Sequence, residues 1–371
     1  MSKRNIAIVV VVLVVVVLVV AGISITFLSS NLQGLIFKSK PTIIDTNKFR
    51  DISSISQKNL DAIKKVQRAT TYCNRKNFKI GFILLYENKD QLTNERLDIL
   101  KNMKNDLSQS FLYATKNLAT MDTLDDIYLM PMENSWYFED DDGKDIFFHL
   151  ISKKFYETHY DIYDFLVLAR TFDLNNVSET KANAYLLFSK NDISGIGIDI
   201  FDNDEKYGSK GKLLGSVVLN KDIKKYIIPP GEEIPSLILL HEIGHRWCCN
   251  VGDTFQNEAN NAKLEIKTLA NHFYPGLESG HEIATPMGGA HWVSNGDGTF
   301  KMVVSKEGIK PKYHDFFLYF MGLLPKSEYS KKFPIYAFGW ETNNWNETKA
   351  TLYKEISVDD IIAVEGNRQC N

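Results

Sequence analysis

The stretch Leu237–Trp247, LILLHEIGHRW, carries the most specific pattern in the chain, the motif HExxH. Its apolar first half predicts a buried helix. Residues i and i+4 of a helix share one face, so His241 and His245 can direct two imidazoles at one tetrahedral zinc ion. Glu242 can reach a water on that metal, take its proton during attack on a carbonyl and pass it to the leaving amine. Gly244 costs a helix about 1 kcal/mol relative to Ala, which indicates that another backbone segment packs closely there. The alternative is a pair of structural histidines on an ordinary core helix.

The composition is that of a folded protein of 371 residues. The chain is 44% hydrophobic and 12% aromatic, too apolar for a disordered chain, and long enough for one large domain or two small ones. Its net charge of −3 argues against nucleic acid as a partner, because that binding draws on clustered Lys and Arg.

Residues 6–28 form an uninterrupted apolar run without a charge. A helix of this length spans roughly 34 Å at 1.5 Å per residue, which covers a bilayer core. Lys3 and Arg4 precede it, as expected for a cytoplasmic N-terminus. We predict a short cytoplasmic tail at 1–5, a transmembrane signal-anchor at 6–28, and a single-pass protein of the cell membrane whose remainder lies outside the cytoplasm. The alternative is a cleaved signal peptide and a secreted form, but the run exceeds the usual apolar core of about 7–15 residues and no Ala-x-Ala site follows.

The rest of the chain divides by its hydrophobic pattern. Residues 29–76 are predicted as a stalk or packing helix, and 77–371 as the main domain. Lys79–Tyr86 and Asp164–Ala169 are continuous apolar runs typical of buried strands, and Thr93 is a candidate N-cap for an amphipathic helix that follows. Further predicted elements are a helix over Asp145–Tyr160 and strands over Asp125–Met130, Tyr185–Ser189, Gly197–Phe201 and Leu213–Leu219. This order predicts an α+β fold with a mixed sheet.

Three segments together resemble a group of exported bacterial and archaeal zincin metallopeptidases. They are HEIGHRW, then Gly289–Trp292 (GAHW), then Tyr313 followed by Leu318–Leu323 (LYFMGL). The resemblance extends over about residues 78–330. It implies that 77–371 is a zincin-like metallopeptidase domain, with a mixed twisted sheet, the active-site helix beneath it and a smaller C-terminal subdomain that closes the cleft. It also implies that Leu213–Leu219 is the cleft-edge strand that pairs with a peptide substrate.

A catalytic zinc requires a third protein ligand and an open position for water. The spacing HExxHxxGxxH is absent, because position 248 is Cys and position 251 is Val. We predict His291 as the third ligand, since it opens a hairpin pattern and a ligand on a strand is held rigidly. Asp315 is the alternative, on a stretch predicted to be helical. The resembling sequences carry their acid at the position that is Phe317 here.

Two residues just before that stretch are candidates for an assisting role. Tyr313 or His314 can donate a hydrogen bond to the oxyanion of a tetrahedral intermediate. A core tyrosine is the alternative for Tyr313. Met321-Gly322 is either a methionine turn beneath the zinc or, more simply, a helix C-terminus with the glycine as its cap.

The four cysteines predict disulfide bonds, because an exported chain meets an oxidising environment. Cys248 and Cys249 are expected to pair with Cys73 and Cys370, and the sequence leaves open which pairs with which.

These features predict a membrane-anchored, outward-facing, zinc-dependent endopeptidase. It binds Zn²⁺ through His241, His245 and His291, uses Glu242 as general base and acts on peptide or protein substrates. The alternatives are a catalytically silent zincin-like surface or binding protein, and a zinc hydrolase of a non-peptide amide.

Overall fold

The computed structural model describes residues 75–140, 143–174, 182–226, 236–247, 285–287, 291–303, 312–328, 332–338 and 349–370. The helices in these ranges are α1 (Asn94–Ala114), α2 (Phe148–Thr158), α3 (Asp204–Tyr207), α4 (Leu237–Gly244), α5 (Asp315–Met321) and α6 (Val358–Glu365). The strands are β1 (Asn77–Tyr86), β2 (Thr120–Pro131), β3 (Tyr137–Asp140), β4 (Gly143–Ile146), β5 (Phe165–Arg170), β6 (Ala184–Phe188), β7 (Lys190–Asn191), β8 (Ile193–Ser194), β9 (Phe201–Asp202), β10 (Gly215–Asp222), β11 (His291–Ser294), β12 (Thr299–Val303), β13 (Phe333–Phe338), β14 (Lys349–Ile356) and β15 (Gln369–Cys370).

The predicted membrane segment at 6–28 and nearly all of the predicted stalk lie outside the described residues. No helix within the described ranges is long and apolar enough to cross a bilayer. The signal-anchor therefore stays a prediction.

A five-stranded mixed sheet forms the centre of the fold, in the order β2-β1-β5-β10-β6. The first four strands are parallel, and β6 runs antiparallel to β10. The two continuous apolar runs of the sequence form the adjacent strands β1 and β5, whose side chains are buried on both faces of the sheet. The predicted α+β class and mixed sheet are confirmed.

Helices cover both faces of this sheet. Helix α1 packs in one apolar cluster together with α4 and α5, and α2 packs in a second cluster against the other face. Thr93 is the N-cap of α1, as predicted, and its hydroxyl accepts a hydrogen bond from the backbone N–H of Arg96 at 3.4 Å. The helix ends at Ala114, because Lys116 and Asn117 adopt positive φ angles of 54° and 64°.

Two predicted elements differ from the structure. The helix predicted over Asp145–Tyr160 begins only at Phe148, because residues 143–146 pair with Tyr137–Asp140 as a β-hairpin. The strand predicted over Gly197–Phe201 is wrong except at its last residue. The segment before it bends at Gly195 and Gly197, where φ is +74° and +76°, values that extended strands do not adopt.

The stretch predicted as the cleft-edge strand is not at an edge of the sheet, so this prediction is also wrong. The stretch Leu213–Leu219 lies largely in β10, which is hydrogen-bonded on both sides, to β5 and to β6. Its Val217, Val218 and Leu219 are fully buried, as an interior strand requires. Within the described part of the chain, β6 is the strand at this edge of the sheet.

The C-terminal part contains a second, antiparallel sheet in the order β11-β12-β14-β13. The predicted hairpin at its start is confirmed, since β11 and β12 pair across a turn at Asn295–Gly298. Strand β15 returns to the first part of the chain and pairs with β8.

Candidate active site

The HExxH residues lie at the C-terminal end of α4. Leu239, Leu240 and Ile243 are fully buried in the core cluster and fix the apolar face of this short helix. His241 lies in the last turn, and His245 is the C-cap residue, still in a right-handed helical conformation. Helix geometry therefore holds the two imidazoles one turn apart at the edge of the core, where both are partly exposed.

The two imidazoles converge as the motif predicts. The Nε2 atoms of His241 and His245 are 3.1 Å apart, and the rings are nearly perpendicular at 84°. Two nitrogens bound to one tetrahedral zinc at about 2.1 Å lie about 3.4 Å from each other. The donor set therefore fits a shared metal ion at this point.

A backbone carbonyl fixes the orientation of the first imidazole. Nδ1 of His241 lies 2.9 Å from the carbonyl oxygen of Pro286. Because a carbonyl only accepts, Nδ1 carries the proton, so Nε2, which faces Nε2 of His245, is the unprotonated nitrogen of the neutral ring. The sequence did not indicate this partner, since any residue supplies a carbonyl. The turn Thr285–Met287, which orients His241, was therefore not predicted from the sequence.

Side chains, rather than the backbone expected from the sequence, pack on Gly244. A Cβ atom at this position would overlap Sδ of Met287 outright and lie 3.2 Å from Cε1 of Tyr313. Met287 is fully buried in the core cluster. The glycine is thus required because the turn that orients His241 rests on helix α4.

Glu242 lies between the two histidines and is 6% exposed. Its burial raises the pKa of the carboxyl to about 7. A carboxylate with a pKa near neutrality is suited to take up and release a proton at physiological pH.

The residues predicted to assist catalysis have other contacts. The Tyr313 hydroxyl donates to the carbonyl of Leu240 at 2.6 Å, and the side chain is 1% exposed, which supports the alternative of a core tyrosine. His314 is the N-cap of α5, where its Nδ1 accepts from the N–H of Phe316, and burial lowers its pKa to about 4. This arrangement directs the Tyr313 proton to a backbone carbonyl rather than to an oxyanion. Because Nδ1 of His314 accepts, its ring proton is on Nε2, and the predicted oxyanion role of His314 stays a prediction.

The third ligand is not identified among the described side chains. No group of three or more His, Cys, Asp or Glu that could hold a metal occurs in the described part of the chain. Asp315, the alternative ligand, forms an ion pair with Lys116, and each side chain is 38% exposed. His291 begins β11, where its backbone lies opposite Val303. The structure describes the backbone of this residue but not its side chain, so its ligand role stays a prediction.

Of two further interpretations beside the site, the structure resolves one. Gly322 caps α5 with a φ of 74°, which confirms the helix C-terminus at Met321-Gly322. Cys370 is disulfide-bonded, and the three other cysteines of the chain lie outside the described residues, so the pairing stays a prediction.

The residues after HExxH anchor the end of the helix. Arg246 is fully buried and donates to Oδ1 of Asn191 at 3.1 Å and to Oδ1 of Asp192 at 3.0 Å. Trp247 packs edge-on against Phe78 of β1, with ring centroids 5.3 Å apart. These contacts hold the site to the sheet and were not foreseen from the sequence.

Comparison with protein-family models, with curated proteins and with solved structures found no match for this chain.

Proposed function

We propose that this protein is a membrane-anchored, outward-facing zinc endopeptidase. The observation that carries the proposal is the pair of Nε2 atoms 3.1 Å apart, on a helix whose first histidine is held in the metal-binding tautomer by Pro286. A structural pair of histidines that hydrogen-bond to each other would converge as closely, but it would not need a buried acid beside it.

His241 and His245 would hold the ion, with His291 as the proposed third ligand. Zinc supplies a Lewis acid that polarises a carbonyl and lowers the pKa of water. Glu242 accepts the proton of the attacking water and delivers it to the leaving amine, a role for which its pKa of about 7 is matched. The edge strand β6 packs beside α4, so an extended peptide paired with β6 would pass the histidines.

A zinc assay followed by casein cleavage tests this proposal. The full-length chain, purified in detergent, should bind zinc and cleave unfolded casein. Glu242→Gln should retain the metal and lose about 10²–10⁴-fold in rate, the usual contribution of a general base. Glu157→Gln, which removes an exposed carboxylate paired with Lys154, is the matched control and should cleave like the wild type.

Each other outcome favours a different function. Bound zinc without Glu242-dependent cleavage indicates the silent surface or binding protein. Activity confined to small amides indicates a non-peptide hydrolase. Failure to bind zinc refutes all enzymatic versions of the proposal.

A further inference from the structure

A buried arginine, Arg170, lies on the other face of the central sheet, at the carboxyl end of β5. The chain passes from β1 through α1 to β2 on one side, and from β2 through α2 to β5 on the other side of β1. The carboxyl ends of β1 and β5 are therefore a topological switch point, the place where parallel sheets with helices on both faces bind ligands. Arg170, the last residue of β5, lies at this point opposite Leu85 of β1.

Arg170 is fully buried but incompletely paired. Its side chain is on the α2 face, because Leu166 and Leu168, two and four residues earlier in the strand, pack in the α2 cluster. Nη2 donates to the backbone carbonyl of Asn220. Nε and Nη1 are both buried, and no described residue accepts a hydrogen bond from either. A buried guanidinium without a countercharge is costly, so Nε and Nη1 suit an acceptor that the described residues do not supply.

The nearest acids are committed elsewhere. Asp173 pairs with Lys225 at 2.8 Å and accepts from the backbone N–H of Asp222 at 3.0 Å. Asp145 accepts from the N–H of the residue that follows it at 2.8 Å. Neither forms an ion pair with Arg170 in the described structure, although both add negative potential around it.

Two other buried or half-buried arginines each have a carboxylate partner, although Nε of Arg246 also has no acceptor among the described residues. Arg96, near the same end of the sheet, is matched by Asp222 through two hydrogen bonds of 3.0 and 2.6 Å. Arg246, equally buried, has Asp192 at 3.0 Å. Among these three, only Arg170 has no carboxylate.

The surroundings favour a small planar anion with one charge. The Phe172 ring lies 5.8 Å from the guanidinium carbon, and Tyr137 and Tyr185 pack against the same cluster as α2. Burial raises the pKa values of both tyrosines, and the charge of Arg170 opposes that rise. One positive charge without a partner matches a single carboxylate, whose geometry suits guanidinium donors. A phosphate dianion would bury a second negative charge beside the acids already present.

We propose that Arg170 anchors a carboxylate-binding site at the carboxyl ends of β1 and β5, separate from the metal site and on the opposite face of the sheet. The ligand is either a small free carboxylic acid or the carboxyl terminus of a peptide, which share this chemistry. The site depends neither on zinc nor on peptide cleavage.

Calorimetry on the full-length chain carrying Glu242→Gln tests the proposal without cleavage of the probes. Propionate, which carries one carboxylate, should bind at least about tenfold more tightly than the neutral propionamide, a modest part of what a buried charge pair contributes. A second pair of probes, N-acetyl-dialanine and its C-terminal amide, distinguishes a peptide terminus from a small free acid. Arg170→Met should remove the preference for the carboxylate. The charge-neutral control Asp173→Asn with Lys225→Met removes an exposed ion pair nearby and should keep it.

Three results would overturn this proposal. They are equal binding of both members of each probe pair by the parent chain, an undiminished preference in Arg170→Met, and propionate-soaked crystals with water alone at Nε and Nη1. If Arg170→Met does not fold, Arg170→Lys serves instead. Lysine keeps the charge but lacks the planar donors, so the preference should fall at least about fivefold. A chain that prefers propionate to its amide but neither binds zinc nor cleaves casein would refute the proposed function and leave this site standing.

Discussion

Gly244→Ala tests the contact between helix α4 and the turn Thr285–Met287, which orients His241. The added Cβ would overlap Sδ of Met287 and lie 3.3 Å from its Cε. A methyl group and a sulfur normally stay about 3.5–4 Å apart, so Met287 must move by roughly 1 Å or more. It has little room to do so, because it is fully buried and its N–H is bonded to the Thr285 hydroxyl at 3.1 Å.

The expected magnitude combines two opposing effects. Overpacking a core costs about 1–3 kcal/mol, and outright overlap places this case in the upper half of that range. Replacing a helical glycine by alanine contributes about 1 kcal/mol in the opposite direction. The net expectation is a destabilisation of about 1–2 kcal/mol. Displacement of Pro286, which precedes Met287, should also weaken zinc binding by about tenfold or more, as loss of an outer-shell partner does.

Urea denaturation in the presence of a chelator measures the first quantity, and competition with a zinc indicator measures the second. Met287→Ala is the matched background, since it removes both Met287 atoms that the new methyl group meets and leaves the 3.2 Å contact with Cε1 of Tyr313. There, Gly244→Ala should be neutral or stabilise the protein by up to about 1 kcal/mol, so that the two changes are coupled by about 1–3 kcal/mol. If Gly244→Ala stabilises the otherwise unchanged protein to the same extent, the packing argument is refuted.

Three further changes have defined expectations. Thr93→Ala removes the N-cap acceptor of α1 and should lower the free energy of unfolding by about 1 kcal/mol in urea titrations. Asp192→Asn leaves the buried Arg246 without its carboxylate and should cost about 2 kcal/mol by the same measurement. His314 has a folded pKa of about 4, so the unfolded chain takes up a proton below about pH 6.5 and the folded chain does not. Stability is therefore lost as the pH falls from 6.5 toward 4, and His314→Asn, which keeps a capping oxygen, should reduce the loss between pH 7 and 5 by about 2 kcal/mol.

Each of these expectations can fail in a recognisable way. An unchanged urea midpoint for Thr93→Ala would mean that the cap does not contribute to stability. A neutral Asp192→Asn would show that Asn191 alone satisfies Arg246. Parallel pH profiles for the parent chain and His314→Asn would place the acid sensitivity in another group.

The sequence by itself determined the features that depend on neighbours along the chain. Helix periodicity brings His241 and His245 to one face without help from the rest of the fold, and the apolar runs of β1 and β5 predict strands buried on both faces. The caps at Thr93 and Gly322 are likewise local, since each depends on the conformation of the residue itself and of the adjacent turn.

Only the tertiary structure decided which distant groups meet these elements. His241 finds the Pro286 carbonyl 45 residues away, and carbonyl acceptors have no sequence signature because every residue carries one. Leu213–Leu219 was predicted as the edge strand, whereas β6 lies at that edge in the structure and β10 lies inside the sheet. Strand order depends on pairing between distant segments, which the apolar pattern of one strand does not reveal. Arg170 looks like any arginine at the end of a strand, and only the packed sheet showed that Asp173 and Asp145 are bonded to other groups. Local stereochemistry thus sets the two imidazoles side by side, whereas charge, burial and hydrogen-bond partners depend on contacts between segments far apart in the chain.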